Sequence, residues 1–180
     1  MQIKNDLLDE ARFIPSPNCN ERPNNTEIEL LVIHCISLPK GEFGNGNIEA
    51  LFLNQLNSAA HSSCATLDNL KVSAHLVIYR SGQVVQFVPF HKRAWHAGVS
   101  YFQGKNNCND FSIGIELEGT DDTSYLPVQY RQLIAITQCL CELYPKITKN
   151  TIVGHSDIAP GRKTDPGLLF DWEKYKKNFF

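Results

Sequence analysis

The chain has 180 residues, 42% of them hydrophobic and 20% charged, and a formal net charge of −2. That is enough chain to bury a core in one domain spanning 1–180, and so balanced a charge gives no electrostatic footprint for nucleic acid. The basic group Lys174, Lys176 and Lys177 reads as a solvated helix face, and no apolar run is long enough to cross a bilayer.

In chain order, the N-terminus MQIKNDLLDEARF is broken by Asp6, Asp9 and Glu10 and lacks the apolar core of a signal peptide. ELLVIHCI (29–36) is a continuous β-branched and aliphatic run, the pattern of a buried strand. SLPKGEFGNGN (37–47) reads as a loop and IEALFLNQL (48–56) as a short helix. SAHLVIYRSGQVVQFVPF (73–90) predicts two strands hinged at Ser81-Gly82. KRAWHAGVSYFQGKNNCND (92–110) is a long polar and aromatic connection, the kind that carries function inside a compact domain. FSIGIELEG (111–119) alternates, with Ile113, Ile115 and Leu117 on one face and Ser112, Gly114, Glu116 and Glu118 on the other.

Pro127 opens a helix whose buried stripe is Leu133, Ile136, Leu140 and Leu143, and Pro145 ends it. TIVGH (151–155) is a short strand that delivers His155, and DWEKYKKNFF closes the chain as an amphipathic piece. Strands and helices alternating around a central hairpin predict an α/β fold, a mixed central β-sheet flanked by helices. The six cysteines include no CxxC pair. They read as free thiols in a reducing compartment, which with the N-terminus predicts a cytoplasmic protein.

His34 lies near the end of the first buried strand, His155 ends the last one, and Asp165 follows ten residues later. Sites in open α/β sheets gather at such strand ends. Two imidazoles and a carboxylate suit zinc, whose catalytic sites keep about three protein ligands and one open position. Asp165 precedes Pro166, which restricts its backbone. The spacing is less specific than a HExxH motif: a strand histidine is often a satisfied core group, and DIAP and TDPG also occur as plain turns. His61 and His91 read as surface or hairpin positions, and His75 as either near the site or simply buried.

The segments VIHCISLP, SAHLVIYRSGQVVQFVPF, RAWHAGVS, NDFSIGIELEGTD and GHSDIAPGRKTDPG, in this order, resemble the zinc N-acetylmuramoyl-L-alanine amidases over roughly residues 10–175, and most of all their cytoplasmic members acting on 1,6-anhydro-muramyl peptides. The resemblance implies the sheet-and-helix fold shared with peptidoglycan recognition proteins. It implies zinc on His34, His155 and Asp165, with Glu116 as catalytic base and Lys163 as catalytic cation. Read alone, Glu116 would be a solvent-facing strand carboxylate and Lys163 a surface charge. Gly114, on the same strand face as Glu116, leaves room for something to approach, and Lys163 lies two residues before Asp165, so an extended loop would point both side chains one way.

The implied reaction is hydrolysis of the amide between the lactyl group of (anhydro-)muramic acid and L-alanine of the stem peptide, in the recycling of wall fragments. The implied substrate contacts are Cys35, Lys71, Trp95 and His96, the last two as a wall built by RAWHAGVS. Cys35 stands where close relatives often carry Asn, and Lys71 where some carry Arg, which would forgo a bidentate carboxylate contact. Asp157 and Arg162 read as holders of the loop.

Two rivals stand beside this reading. One is a muropeptide-binding module that does not cut, which would be expected to lack a ligand or the base. The other is a cysteine hydrolase built on Cys35, whose side chain should face away from that of its neighbour His34 in a strand.

Overall fold

The computed structural model describes residues 1–57, 67 and 69–177, so the positions of His61 and Cys64 lie outside the described residues. A six-stranded mixed sheet forms the centre. The first 20 residues, where the sequence predicted no element, form four two-residue strands: β1 (Ile3–Lys4), β2 (Leu7–Leu8), β3 (Arg12–Phe13) and β4 (Cys19–Asn20). β5 (Leu30–Ile36) follows, then α1 (Asn47–Phe52), β6 (Leu76–Ile78) and β7 (Val84–Gln86). Next come β8 (Arg93–Ala94), β9 (Tyr101–Phe102), β10 (Lys105–Asn106) and β11 (Ser112–Glu118). The chain ends with α2 (Pro127–Leu143), β12 (Ile152–Gly154), α3 (His155–Ile158) and α4 (Trp172–Lys177).

The sheet order is β12-β5-β11-β6-β7-β3, parallel except for the antiparallel β6–β7 hairpin. The hairpin turns where expected, with Gly82 at φ 87°. β5 and β11 run parallel in a register that sets His34 beside Glu116. Registered neighbours on adjacent strands project from the same face of a sheet. One face carries Leu31, Ile33, Ile113, Ile115 and Leu117 against Leu133, Ile136 and Leu140 of α2. The other packs Leu30 and Val32 on Ala97, Cys108, Phe111 and Ile158, and Val77, Val85 and Phe87 on Ile48, Leu51 and Phe52 of α1.

Four differences from the sequence pattern have physical reasons. α1 stops at Phe52 because Asn54 adopts a positive φ of 58° and ends the turn. Segment 92–110 is not one open connection: it holds β8, the β9–β10 hairpin and a 3₁₀ turn at Cys108–Asp110. All seven residues of β11 are buried, so the polar face of its alternation lies against protein, not water. Leu143, placed in the buried stripe of α2, is 46% exposed at the helix end, beyond the edge of the sheet contact. Among the described residues the five cysteines Cys19, Cys35, Cys108, Cys139 and Cys141 are free thiols, and no helix is long and apolar enough to cross a membrane.

Candidate active site

β5, β11 and β12 are parallel, so their C-terminal ends share one edge of the sheet. His34 is the fifth residue of β5 and Glu116 the fifth of β11. His155, expected to end a strand, is instead the first residue of α3, directly after β12. Asp157 accepts the Gly154 N–H at 2.7 Å and so holds the strand-to-helix junction. The loop returns through Ser156, whose N–H donates to the Asp165 carbonyl at 3.0 Å. Gly154 is required here because a Cβ would lie 2.8 Å from Cδ of Pro166. At Gly167 (φ +90°) a Cβ would lie 2.0 Å from the Asp121 carbonyl oxygen.

These constraints bring three groups together. His34 Nδ1 lies 2.9 Å from His155 Nδ1, and Asp165 Oδ2 lies 3.1 Å from each of the two nitrogens. No other set of three or more His, Cys, Asp or Glu among the described residues is arranged to hold a metal ion. Three electron-rich atoms converge where at most one or two protons could sit. Ligands at about 2.0–2.2 Å in a tetrahedral zinc site are roughly 3.3 Å apart, close to these separations, so the donor set fits a small divalent cation. Burial lowers the His34 pKa to about 4, outweighing the raising effect of Asp165. Burial would raise Asp165, but its close contacts with the His155 and His34 rings overcome it and hold the carboxyl well below its ordinary range. A neutral imidazole and an ionised carboxylate are the states a metal takes.

Glu116 is 9% exposed, and its Oε2 is the one buried side-chain oxygen or nitrogen without a partner among the described residues. Burial, then the charge of Asp165, push its pKa well above the carboxylate range, while Lys163 pulls the other way. Lys163 is exposed, and its charge is felt by both Glu116 and His34. With Cys35, Ser37, Lys40, Thr120 and Asp165 it lines a groove of about 330 Å³. A larger cleft of about 610 Å³ between Arg22 and Lys146 contains none of these groups. Arg22 there is already committed to the carbonyls of Phe90, His91, Asn109, Asp110 and Ser112.

The expected substrate contacts separate. Cys35 lines the groove beside Asp165. Lys71 is exposed and does not line it. Trp95 is half-buried, its indole N–H donating to Asn20 Oδ1 at 2.7 Å. His96, expected in a substrate wall, is instead buried behind His34, with Nδ1 2.9 Å from His34 Nε2 and Nε2 3.1 Å from Ser112 Oγ. The room left by Gly114 is filled by that ring: a Cβ on Gly114 would lie 2.4 Å from His96 Cγ. His75 is fully buried and takes the Gly114 N–H on Nδ1. Arg162 donates to the carbonyls of Ala97 and Val99, both at 2.6 Å, and ties the ligand loop to segment 97–99. The Cys35 thiol is pushed up to about 12, chiefly by burial, which removes the thiolate that a cysteine hydrolase needs. No sequence signal pointed to Asn109, whose Oδ1 accepts the N–H groups of both His96 and Ala97 at 3.0 and 2.8 Å.

Residues 24–168 match the family model described as N-acetylmuramoyl-L-alanine amidase. The chain is 53% identical over 176 residues to the 1,6-anhydro-N-acetylmuramyl-L-alanine amidase AmpD of Escherichia coli (strain K12), covering 98% of this chain and 96% of that one. The crystal structure of a selenomethionine AmpD derivative superposes with TM-score 0.97 at 52% identity, covering 100% of both chains. The E. coli amidase AmiD, solved with anhydro-N-acetylmuramic acid-L-Ala-D-γ-Glu-L-Lys, matches at TM-score 0.62 and 30% identity over 88% of this chain and 60% of that one. A match across most of the sequence, a fold that superposes end to end and a shared sheet edge carrying the polar cluster leave one conclusion: the chain belongs to the N-acetylmuramoyl-L-alanine amidase family.

Proposed function

We propose that this protein is a zinc-dependent amidase, one domain over residues 1–180. It hydrolyses the bond between the lactyl group of 1,6-anhydro-N-acetylmuramic acid and L-alanine of the stem peptide, in cytoplasmic recycling of peptidoglycan fragments. The observation that carries the catalytic reading over a binding-only one is Glu116. A buried carboxyl with its Oε2 left without a partner beside a His-His-Asp cluster costs stability, and a pure binding module has no use for it. The substrate class follows from relatives more than 50% identical over nearly their whole length.

His34, His155 and Asp165 would hold the zinc ion. When bound, zinc supplies a Lewis acid that lowers the pKa of a water to about 7, polarises an amide carbonyl and draws Glu116 back toward its ionised form. Glu116 then takes the proton of the attacking water and passes it to the departing alanine nitrogen. Lys163 places a positive charge where the carbonyl oxygen becomes anionic, a contribution of roughly 10²–10³ in rate for one such donor. Cys35 and the groove walls orient the lactyl-alanine segment, while Lys71 and Trp95 are kept as outer contacts for the peptide or sugar.

The test is zinc content and release of the L-Ala peptide from anhydro- and reducing-end muropeptides. The parent should bind one zinc and cut the anhydro substrate faster. His34→Ala and Asp165→Ala should lose both metal and activity. Glu116→Gln should keep the metal and lose roughly 10²–10⁴ in rate. A parent that binds no zinc and releases no peptide overturns the proposal.

A further inference from the structure

Each metal-facing imidazole has a second ring nitrogen, and in this fold both second nitrogens meet the same dipeptide. His34 Nε2 lies 2.9 Å from His96 Nδ1, and His155 Nε2 lies 3.0 Å from the Ala97 carbonyl oxygen. His34, His96, Ala97 and His155 are all buried, so water does not compete for these contacts. The dipeptide is itself fixed. Asn109 Oδ1 accepts both of its N–H groups, and Ser112 Oγ stands 3.1 Å from His96 Nε2. Gly114 supplies the space in which the His96 ring sits. Arg162, from the ligand loop, donates to the same Ala97 carbonyl.

A neutral imidazole carries one proton, so the partner of one nitrogen decides what the other can do. A carbonyl oxygen only accepts; His155 therefore carries its proton on Nε2, and Nδ1 keeps its lone pair. For His34 two arrangements exist. If His96 donated from Nδ1, His34 would be left with its proton on Nδ1, the atom facing His155 and Asp165, where it would block a metal. If His34 donates from Nε2, His96 accepts on Nδ1, donates from Nε2 to Ser112, and both metal-facing nitrogens are free.

We propose that His96–Ala97 is the positioning clamp of the metal centre: it accepts the outer N–H of both histidines, fixes each as the Nε2–H form with Nδ1 directed at the cation, and is held in place by Asn109. This rests on the zinc reading above. It gives His96 a role on His34, with both ring nitrogens committed, in place of a contact with substrate. Such outer partners typically change metal affinity 10–100-fold.

Two measurements on the zinc-loaded full chain test this. The first is the ring ¹H–¹⁵N correlation spectrum of the unmutated protein, in which His34 and His155 should both show a protonated Nε2 and a coordinated Nδ1. A protonated Nδ1 on either ring overturns the clamp. The second is zinc affinity by chelator competition. His96→Leu fills the volume without an acceptor and should weaken binding roughly 10–100-fold. His96→Asn, whose Oδ1 stands where Nδ1 was, should return it to within a few-fold of the parent. A His96→Leu protein that folds and binds zinc within twofold of the parent overturns the proposal, since a residue needed only for packing would lower the melting temperature and leave affinity unchanged. If His96→Leu does not fold, the spectrum of the parent and the His96→Asn affinity decide. A parent that binds no zinc overturns the zinc reading itself, a separate outcome.

Discussion

Glycine within a strand gives up backbone entropy and packs nothing, and replacing it with alanine ordinarily stabilises by a few tenths to 1 kcal/mol. Gly114 is the exception that the site imposes, because His96 occupies the place of its missing Cβ. Gly114→Ala should therefore lower the melting temperature of the metal-free protein and weaken zinc binding. Both are read by thermal unfolding and chelator competition, and a variant more stable than the parent would contradict the placement of the ring. At this scale the sequence was unevenly informative. His34, His155 and Asp165 could be picked out from strand ends and a Pro-Gly turn, since those features fix where side chains go. The roles proposed for Glu116 and Lys163 came only from resemblance, because a strand carboxylate and a loop lysine read in sequence as surface charges. The role of His96 was hidden for the same reason: its partners are 62 and 16 residues away, and nothing in RAWHAGVS has a period that announces a buried ring.

The long central elements were the readable ones. Continuous apolar runs and clean alternation carry their own period, and β5, β11, the β6–β7 hairpin and α2 lie where the pattern puts them. The short pairs β4–β8 and β9–β10 were not readable, because two-residue strands have no period and depend on tertiary partners. Nor did the alternation of β11 reveal that its polar face is covered. Glu118 shows what that covering does. It is 3% exposed, Oε1 accepts the Gly44 N–H at 2.6 Å and Oε2 the Arg80 N–H at 3.0 Å. One side chain thus joins the loop after β5 to the hairpin turn after β6. Glu118→Ala leaves both N–H groups without that acceptor, each worth about 1–3 kcal/mol if kept from water. At about 2–4 °C per kcal/mol for a chain of this size, the melting temperature should drop by several degrees. Zinc affinity should stay at the parent value, because Glu118 touches neither His34, His155 and Asp165 nor residues 96–97. A joint loss of both would show that the 37–47 loop supports the metal centre.

For the whole molecule the buried charges set a pH dependence with a sign that can be worked out. His34, His75 and His96 all have pKa values lowered by burial, His34 to about 4, His75 to about 3 and His96 well below its ordinary 6.5. Between about pH 5 and 6 the unfolded chain carries protons on these three positions and the folded chain does not. Glu116 acts oppositely: with its pKa raised above the ordinary 4.5, the folded chain holds a proton there that the unfolded chain has released. Stability rises with pH wherever the unfolded state binds more protons, by about 1.4 kcal/mol per pH unit for each proton of difference. The three histidines minus Glu116 leave about two, so metal-free protein should lose roughly 3 kcal/mol for each unit of acidification in this window. Glu116→Gln removes the opposing proton, and its slope should steepen to about three protons. The same variant should be more stable than the parent at neutral pH, with the advantage fading as pH falls toward 4.5. Denaturant unfolding of both metal-free proteins at half-unit steps from pH 5 to 7 reads the two slopes directly. Equal slopes would mean that Glu116 is ionised in the fold, which would remove the buried, protonated carboxyl from the metal-free state. Zinc held as proposed should stabilise the folded chain by about 2.7 kcal/mol at a hundredfold excess over its Kd.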